Sequence, residues 1–249
     1  MSAVVRIIGN HVSPYARKVL LALDHKQIEY EIDPIVPFFG SDEFTRLNPL
    51  RRIPILLDGD LVIPDSTVIC EYLEDKHPGR PLYPANAADR ARARWLEEFA
   101  DSRLGDVMIW KMFFQRNVKP RVWKQAADEA LVQEAIANDL PIIMDWLEPQ
   151  APQVDFMFGQ LTMTDLTYAS FFRNAELADW TPDVGRWPAV VGWIARVQST
   201  PLFARSTVFE QLMLTTPGRD LAAALDAAGL VVARQSVRGD APRRGPMLA

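Results

Sequence analysis

The hydrophobic pattern of this chain changes period once, near residue 80, so a fold that fits it builds a sheet first and only helices afterwards. Up to that point the apolar residues come in short runs between turn formers. Val4 to Ile8 is a β-branched run stopped by Gly9-Asn10, the pattern of a strand. Ser13-Pro14 sets a favourable N-cap ahead of the residue best tolerated in a first helical turn, and the apolar stretch from Val19 to Leu23 extends a helix to about His25. Tyr30 to Ile35 alternates apolar and acidic residues, which predicts a second strand parallel to the first through a right-handed crossover. Pro37 to Pro49 predicts a loop with one helical turn. Ile53 to Leu57, the turn pair Asp58-Gly59 and Leu61 to Ile63 read as an antiparallel hairpin. Asp65-Ser66 opens a helix whose Val68, Ile69, Tyr72 and Leu73 recur along one face and which His77-Pro78-Gly79 stops.

Arg80 to Asn86 carries two prolines and reads as a linker. Beyond it only helical spacing appears. Trp95, Leu96 and Phe99, continuing to Val107 and Met108, mark a long helix. Val132, Ile136, Leu140, Ile143 and Leu147 mark another, which Pro141 is expected to kink or divide. Leu166, Ala169 and Phe172, then Trp193, Ile194 and Val197, give two more. From Arg234 onward Arg, Gly and Pro dominate, and a poorly structured end is expected. The predicted organisation is an α/β domain over 1–80, a linker over 81–86, an all-α domain over 87–230 and an irregular tail over 231–249.

Composition narrows the function. With 27 Lys and Arg against 32 Asp and Glu, the chain carries a net charge of -5, which argues against a general nucleic-acid binder. The 49% hydrophobic and 24% charged content argues against disorder. One cysteine and three histidines (His11, His25, His77) offer neither an internal disulfide nor a usual zinc spacing, so no structural metal is expected. No apolar run reaches the roughly 18 residues of a membrane span, and Met1 to Arg6 does not lead into an apolar signal core. No membrane association and a cytoplasmic location are the expectation.

Four motifs, in order, carry a resemblance. They are Ser13-Pro14-Tyr15-Ala16-Arg17-Lys18-Val19, Asn48-Pro49 followed by Arg52-Ile53-Pro54, Asp65-Ser66-Thr67, and Leu161-Thr162-Met163-Thr164-Asp165. Over about residues 1 to 210 the chain resembles the cytosolic glutathione S-transferases, of a bacterial, serine-type, tau-, phi- or theta-like kind. The resemblance implies a thioredoxin-like N-terminal domain followed by an all-helical one. It also implies a homodimer that uses glutathione as co-substrate against an apolar electrophile, with no metal or redox cofactor.

The residues suit that chemistry. Ser13 stands where a strand ends and a helix begins, near free N–H groups and the positive end of a helix dipole. A thiol placed there loses its proton more easily, and a hydroxyl that donates to the sulfur favours the thiolate. The resemblance gives Ser13 this catalytic role, with Tyr15, His11 or Asn10 as substitutes should it fail; serine in place of cysteine argues against thiol-transferase chemistry. It implies that Ile53 presents its backbone to the cysteinyl part of glutathione ahead of Pro54. Ser66 and the helix N-terminus would bind the γ-glutamyl carboxylate and Asp65 the ammonium. Relatives often place a lysine where this chain has Pro37-Phe38-Phe39-Gly40, so Arg52, and less firmly Arg51, is expected to meet the glycyl carboxylate.

Five large apolar groups within seven positions, Met108, Trp110, Met112, Phe113 and Phe114, cannot all face one core. With Tyr15 they are the expected lining of the hydrophobic co-substrate site. At least one of Phe38 and Phe39 is expected at a subunit interface or at the edge of that site. Cys70 reads as a small core residue, and Thr162 with Asp165 as a structural capping box. A non-catalytic interaction or ligand-holding module on the same fold, and a glutathione-dependent lyase, dehalogenase or isomerase, are the alternatives.

Overall fold

The computed structural model describes residues 4–245. In chain order the elements are β1 (Val5–Ile8), α1 (Pro14–Lys26), β2 (Tyr30–Asp33), α2 (Asp42–Leu47), β3 (Ile55–Asp58), β4 (Leu61–Ile63) and α3 (Ser66–Lys76). There follow α4 (Ala87–Phe99), α5 (Lys119–Trp123), α6 (Glu129–Glu134), α7 (Leu140–Leu147), α8 (Met163–Leu177), α9 (Pro188–Gln198), α10 (Pro201–Thr215) and α11 (Gly218–Ala227). They form two compact units, one from the residues up to 80 together with those from 201 on, the other from 81 to 200.

The first unit is built on a four-stranded sheet in the order β2-β1-β3-β4. β2 runs parallel to β1, while β3 is antiparallel to β1 and to β4. This is the thioredoxin-like arrangement expected from the β-α-β and β-β-α halves. Side chains from both faces and from α1 make its core: Ile7, Ile8, Val19, Leu20, Ile32 and Ile55 are fully buried. Pro34 ends β2 two residues short of the apolar run, and Pro54 delays β3 to Ile55 because proline supplies no ladder donor. The 37–49 segment is more ordered than one turn: Pro37–Phe39 forms a 3₁₀ turn, and Ser41 caps α2 by accepting the Phe44 N–H.

The expected boundary at 230 and the expected loose tail are both corrected. α10 belongs with the first unit because its buried face, Phe203, Ser206, Phe209 and Glu210, packs on α1, where Arg17 pairs with Glu210 inside the core. Periodicity shows that a helix has an apolar face; it does not say which partner covers it. Residues 231–237 lie along the open edge of β2, and 238–245 continue past the segment 38–51. The Ile32 N–H donates to the Val231 carbonyl at 2.9 Å and the Ala233 N–H to the Ile32 carbonyl at 2.8 Å. Ser236 Oγ and the Val237 N–H then donate to the Asp33 carboxylate at 2.7 and 2.8 Å. Val237 enters the cluster of Ile8, Ile35, Phe44, Ile53 and Ile55. The otherwise open outer edge of β2 is thus covered by the chain's own backbone. Of the expected tail, 246–249 lie outside the described residues.

The second unit is helical throughout. α4 and α5 are joined by residues Ala100–Val118, wound more widely, with the Lys119 N–H donating to the Phe114 carbonyl five residues back. α6 and α7 are likewise joined by the wide turn Ala135–Asp139, and the backbone stays helical through Asp139 and Leu140. Pro141 therefore neither breaks nor splits the helix; the change of winding absorbs its missing N–H. The capping box at α8 is present: the Thr162 N–H donates to Asp165 Oδ2 at 2.8 Å.

Candidate active site

The register Ile8↔Ile55 sets the segment before β3 beside the turn that leaves β1. Gly9 lets the two close together, since a Cβ there would lie 3.1 Å from Ala16 Cβ on α1 and 3.6 Å from Pro54 Cα. Ser13 is the N-cap of α1, with extended backbone (φ -74°, ψ 125°), and its Oγ accepts the Ala16 N–H at 3.3 Å. Behind it, buried Asn10 accepts the Val12 and Ser13 N–H groups at 3.0 and 3.1 Å and donates to the Ile35 carbonyl. The serine hydroxyl is half-buried at a helix start whose turn is bonded on both sides.

Two further parts meet the same edge of the sheet. The Ile53-Pro54 bond is cis, and both residues are buried. Buried Asn48 donates to the Arg52 and Pro64 carbonyls at 3.0 and 3.3 Å, which fastens the loop before Ile53 to the turn before Asp65. Asp65 caps α3 by accepting the Val68 N–H at 3.0 Å and stays exposed, whereas Ser66 is buried. Lys18 Nζ donates to Thr67 Oγ1 at 2.9 Å and ties α1 to the first turn of α3. Ser13, Ile53-Pro54 and Asp65-Ser66 thus share one rim of the sheet, at which two helices begin.

The two arginines separate. Arg51 has a left-handed backbone (φ 54°), donates to the Gly40 carbonyl at 2.8 Å and to Thr45 Oγ1, and lies over the Phe44 ring. Burial and nearby Arg243 both lower its pKa. It braces the loop. Arg52 is exposed.

The family model for the glutathione S-transferase N-terminal domain matches residues 7–81, the stretch that holds this entire rim. The maize protein named glutathione S-transferase 3 (Zea mays) is 28% identical over 211 residues, 82% of this chain and 93% of that one. Residues 7–81 are a glutathione S-transferase N-terminal domain, and over most of its length the chain is similar to glutathione S-transferases. A solved glutathione S-transferase from Rhodospirillum rubrum F11 superposes with a TM-score of 0.72 at 28% identity, covering 88% of this chain and 98% of the other. FzlA from C. crescentus superposes with a TM-score of 0.76 over 92% of this chain and all of its own, at 22% identity, a level that speaks for the fold alone.

The expected lining of the hydrophobic co-substrate site divides. Met108, Met112 and Phe113 are buried within the helical unit, in the segment that packs against α8. Trp110 and Phe114 stay half-exposed with their rings 5.7 Å apart, and Tyr15 on α1 is half-buried. Phe38 and Phe39 are half-buried beneath the chain's own tail: the Arg243 N–H donates to the Phe38 carbonyl at 2.7 Å, and the Arg238 guanidinium lies over the Phe39 ring. Cys70 is buried, as expected of a core residue. Asn48 carries no role in the sequence reading although it stands in a quoted motif, because the two carbonyls it holds are 4 and 16 residues away. Among the described residues no group of His, Cys, Asp and Glu gathers as a metal site, and no helix is long and apolar enough to cross a membrane.

Proposed function

We propose that this chain is a glutathione transferase in which Ser13 donates to the glutathione sulfur, holds it as thiolate and directs it at an apolar electrophile. The observation that carries the reading is the convergence of a helix-capping serine, Ile53-Pro54 and the Asp65-Ser66 helix start on one rim of the sheet. Ser66 and the N–H groups of α3 suit the γ-glutamyl carboxylate, Asp65 its ammonium, the Ile53 backbone the cysteinyl part and Arg52 the glycyl carboxylate. In the reaction the thiolate attacks an electrophilic carbon, a C–S bond forms and the leaving group departs with its electron pair. Glutathione is consumed as co-substrate, and no metal or redox cofactor takes part. Trp110, Phe114 and Tyr15 are the half-exposed candidates to meet the electrophile.

Retention on glutathione-agarose followed by an assay with an aryl halide tests this reading. Retention with conjugate formation supports it. Retention without turnover over a broad electrophile panel assigns the chain to a ligand-holding module, and cleavage or dehalogenation without a stable conjugate assigns it to a glutathione-dependent lyase or dehalogenase. The same reading carries a twofold homodimer in the cytoplasm, and sedimentation as a monomer at micromolar concentration removes the dimer from it.

A further inference from the structure

Residue His11, two positions before Ser13, is gripped from behind by one face of α10. Its Nδ1 lies 2.8 Å from Ser206 Oγ, its backbone N–H points to Met213 Sδ at 3.2 Å, and its carbonyl accepts from Arg17 Nε at 2.9 Å. Arg17 in turn pairs with Glu210. Ser206, Glu210 and Met213 are spaced i, i+4 and i+7, so they form one stripe of the helix. Arg17 stands four residues after Ser13 on the same face of α1, and its N–H donates to the Ser13 carbonyl at 2.8 Å. Arg17 is 1% exposed and Glu210 0%. A guanidinium and a carboxylate so placed act through a low-dielectric core, where charges reach further than in water.

We propose that Arg17, held and neutralised by Glu210, is a positioning residue of the Ser13 site: it fixes the His11–Ser13 turn, and Glu210 keeps its charge from adding to the field felt by a thiolate at the Ser13 hydroxyl. The inference rests on the reading of Ser13 given above. Its charge logic is explicit. Glu210 offsets Arg17, so with both in place the pair adds little net field. Removing the carboxylate alone leaves the cation uncompensated and makes the turn more favourable to an anion. The other charged groups facing this core are Arg205 on α10 and Asp24 on α1, and His11 itself is neutral, because burial holds its pKa at about 3.

Two variants decide it, each checked for folding by circular dichroism. With glutathione bound, thiolate formation is followed by ultraviolet absorbance against pH. Glu210→Gln is expected to lower the midpoint by about one pH unit. Arg17→Met combined with Glu210→Met removes both charges of the pair. It is expected to return the midpoint to that of the wild type while turnover of an aryl halide falls about tenfold or more, because the turn has lost its brace. Glutathione affinity should stay within about threefold, since the contacts that hold the tripeptide lie elsewhere. A merely structural role for the pair would weaken both variants without a downward midpoint. An unchanged or raised midpoint in folded Glu210→Gln overturns the proposal. Should that variant fail to fold, unchanged turnover in the double variant overturns it. Wild-type protein that binds no glutathione overturns the reading of Ser13 and this inference with it, whereas wild-type binding with unmoved variants overturns the inference alone.

Discussion

A serine hydroxyl is a weak acid, so Ser13 can matter only through its place at the start of α1. In the proposed reading it contacts the sulfur alone, while the ends of the tripeptide are held along the rest of the rim. Ser13→Ala is therefore expected to cut turnover by about 100-fold or more, as loss of one donor to a developing or bound anion does, with glutathione affinity little changed. Steady-state kinetics beside calorimetry checks this; an unaltered rate with an unaltered thiol pKa would pass the role to Tyr15, His11 or Asn10. Asp65 and Ser66 should behave in the opposite way. Asp65→Ala or Ser66→Ala is expected to weaken glutathione binding by about 1.5–3 kcal/mol, the usual worth of a hydrogen bond to a charged group. Part of the Asp65 effect will be lost capping, because its Oδ1 already accepts the Val68 N–H. A ligand-free stability measurement on the same variant separates that part, and wild-type affinity in both variants would leave the pair as a helix cap only.

At the scale of elements, Asp165 shows how a motif that is local in sequence becomes a long-range joint. Its Oδ2 accepts the Thr162 N–H and hydroxyl at 2.8 and 2.7 Å, and its Oδ1 accepts the Met157 N–H at 2.9 Å and Trp193 Nε1–H of α9 at 2.7 Å. Burial pushes its pKa up while these four donors pull the other way. Asp165→Ala strands several buried donors at once and is expected to cost at least about 3 kcal/mol of stability, read from the urea midpoint. A loss under 1 kcal/mol would mean that the joint relaxes around water. The same contrast divides what could be read from the chain. Local signals were legible: the Asp58-Gly59 hairpin, the Ser13 and Asp65 caps, and the Thr162–Asp165 box need only neighbours in sequence. Pairings made across the fold were not. Nothing in the pattern of α10 names α1 as its partner, and the Arg- and Pro-rich tail gives no sign that Val237 will enter a core or that Asp33 will hold it. Among site residues, the rim was visible because each part is a short motif. Asn48 and Arg17 were not, because their roles lie in carbonyls and a carboxylate brought close only by folding. The run from Met108 to Phe114 misled in part, since wide winding turns Met108, Met112 and Phe113 inward.

For the whole molecule, chain order and spatial order part company: the chain leaves the thioredoxin-like unit at residue 80 and returns to it at residue 201. That return closes over His11 and gives the unit a distinctive response to acid. The imidazole is fully buried, one nitrogen faces Ser206, and Nε2 has no partner among the described residues. Protonation would place a second donor and a charge in that core, so burial first, then Arg17 and Arg205, hold the folded pKa at about 3, below the ordinary 6.5. Below pH 6.5 the unfolded chain takes up a proton that the folded chain refuses, so the stability contributed by neutral His11 is full above pH 6.5 and is lost as the pH falls toward 3. The loss approaches about 1.4 kcal/mol for each pH unit across that window. Carboxylates held low by ion pairs, such as Asp58 and Asp145, contribute only further down, near their ordinary range, while buried Asp24 and Asp165, pushed up, act in the opposite sense. Between pH 6.5 and 5 His11, with His25 also lowered by burial, makes stability fall on acidification, and the raised Asp24 and Asp165 oppose that fall. His11→Gln keeps a polar group beside Ser206 but cannot titrate. Urea midpoints measured from pH 7 to 5 are expected to fall more steeply for the wild type than for the variant, whatever its stability at pH 7. Equal slopes for the two proteins would show that His11 takes up its proton without opening the α1–α10 core.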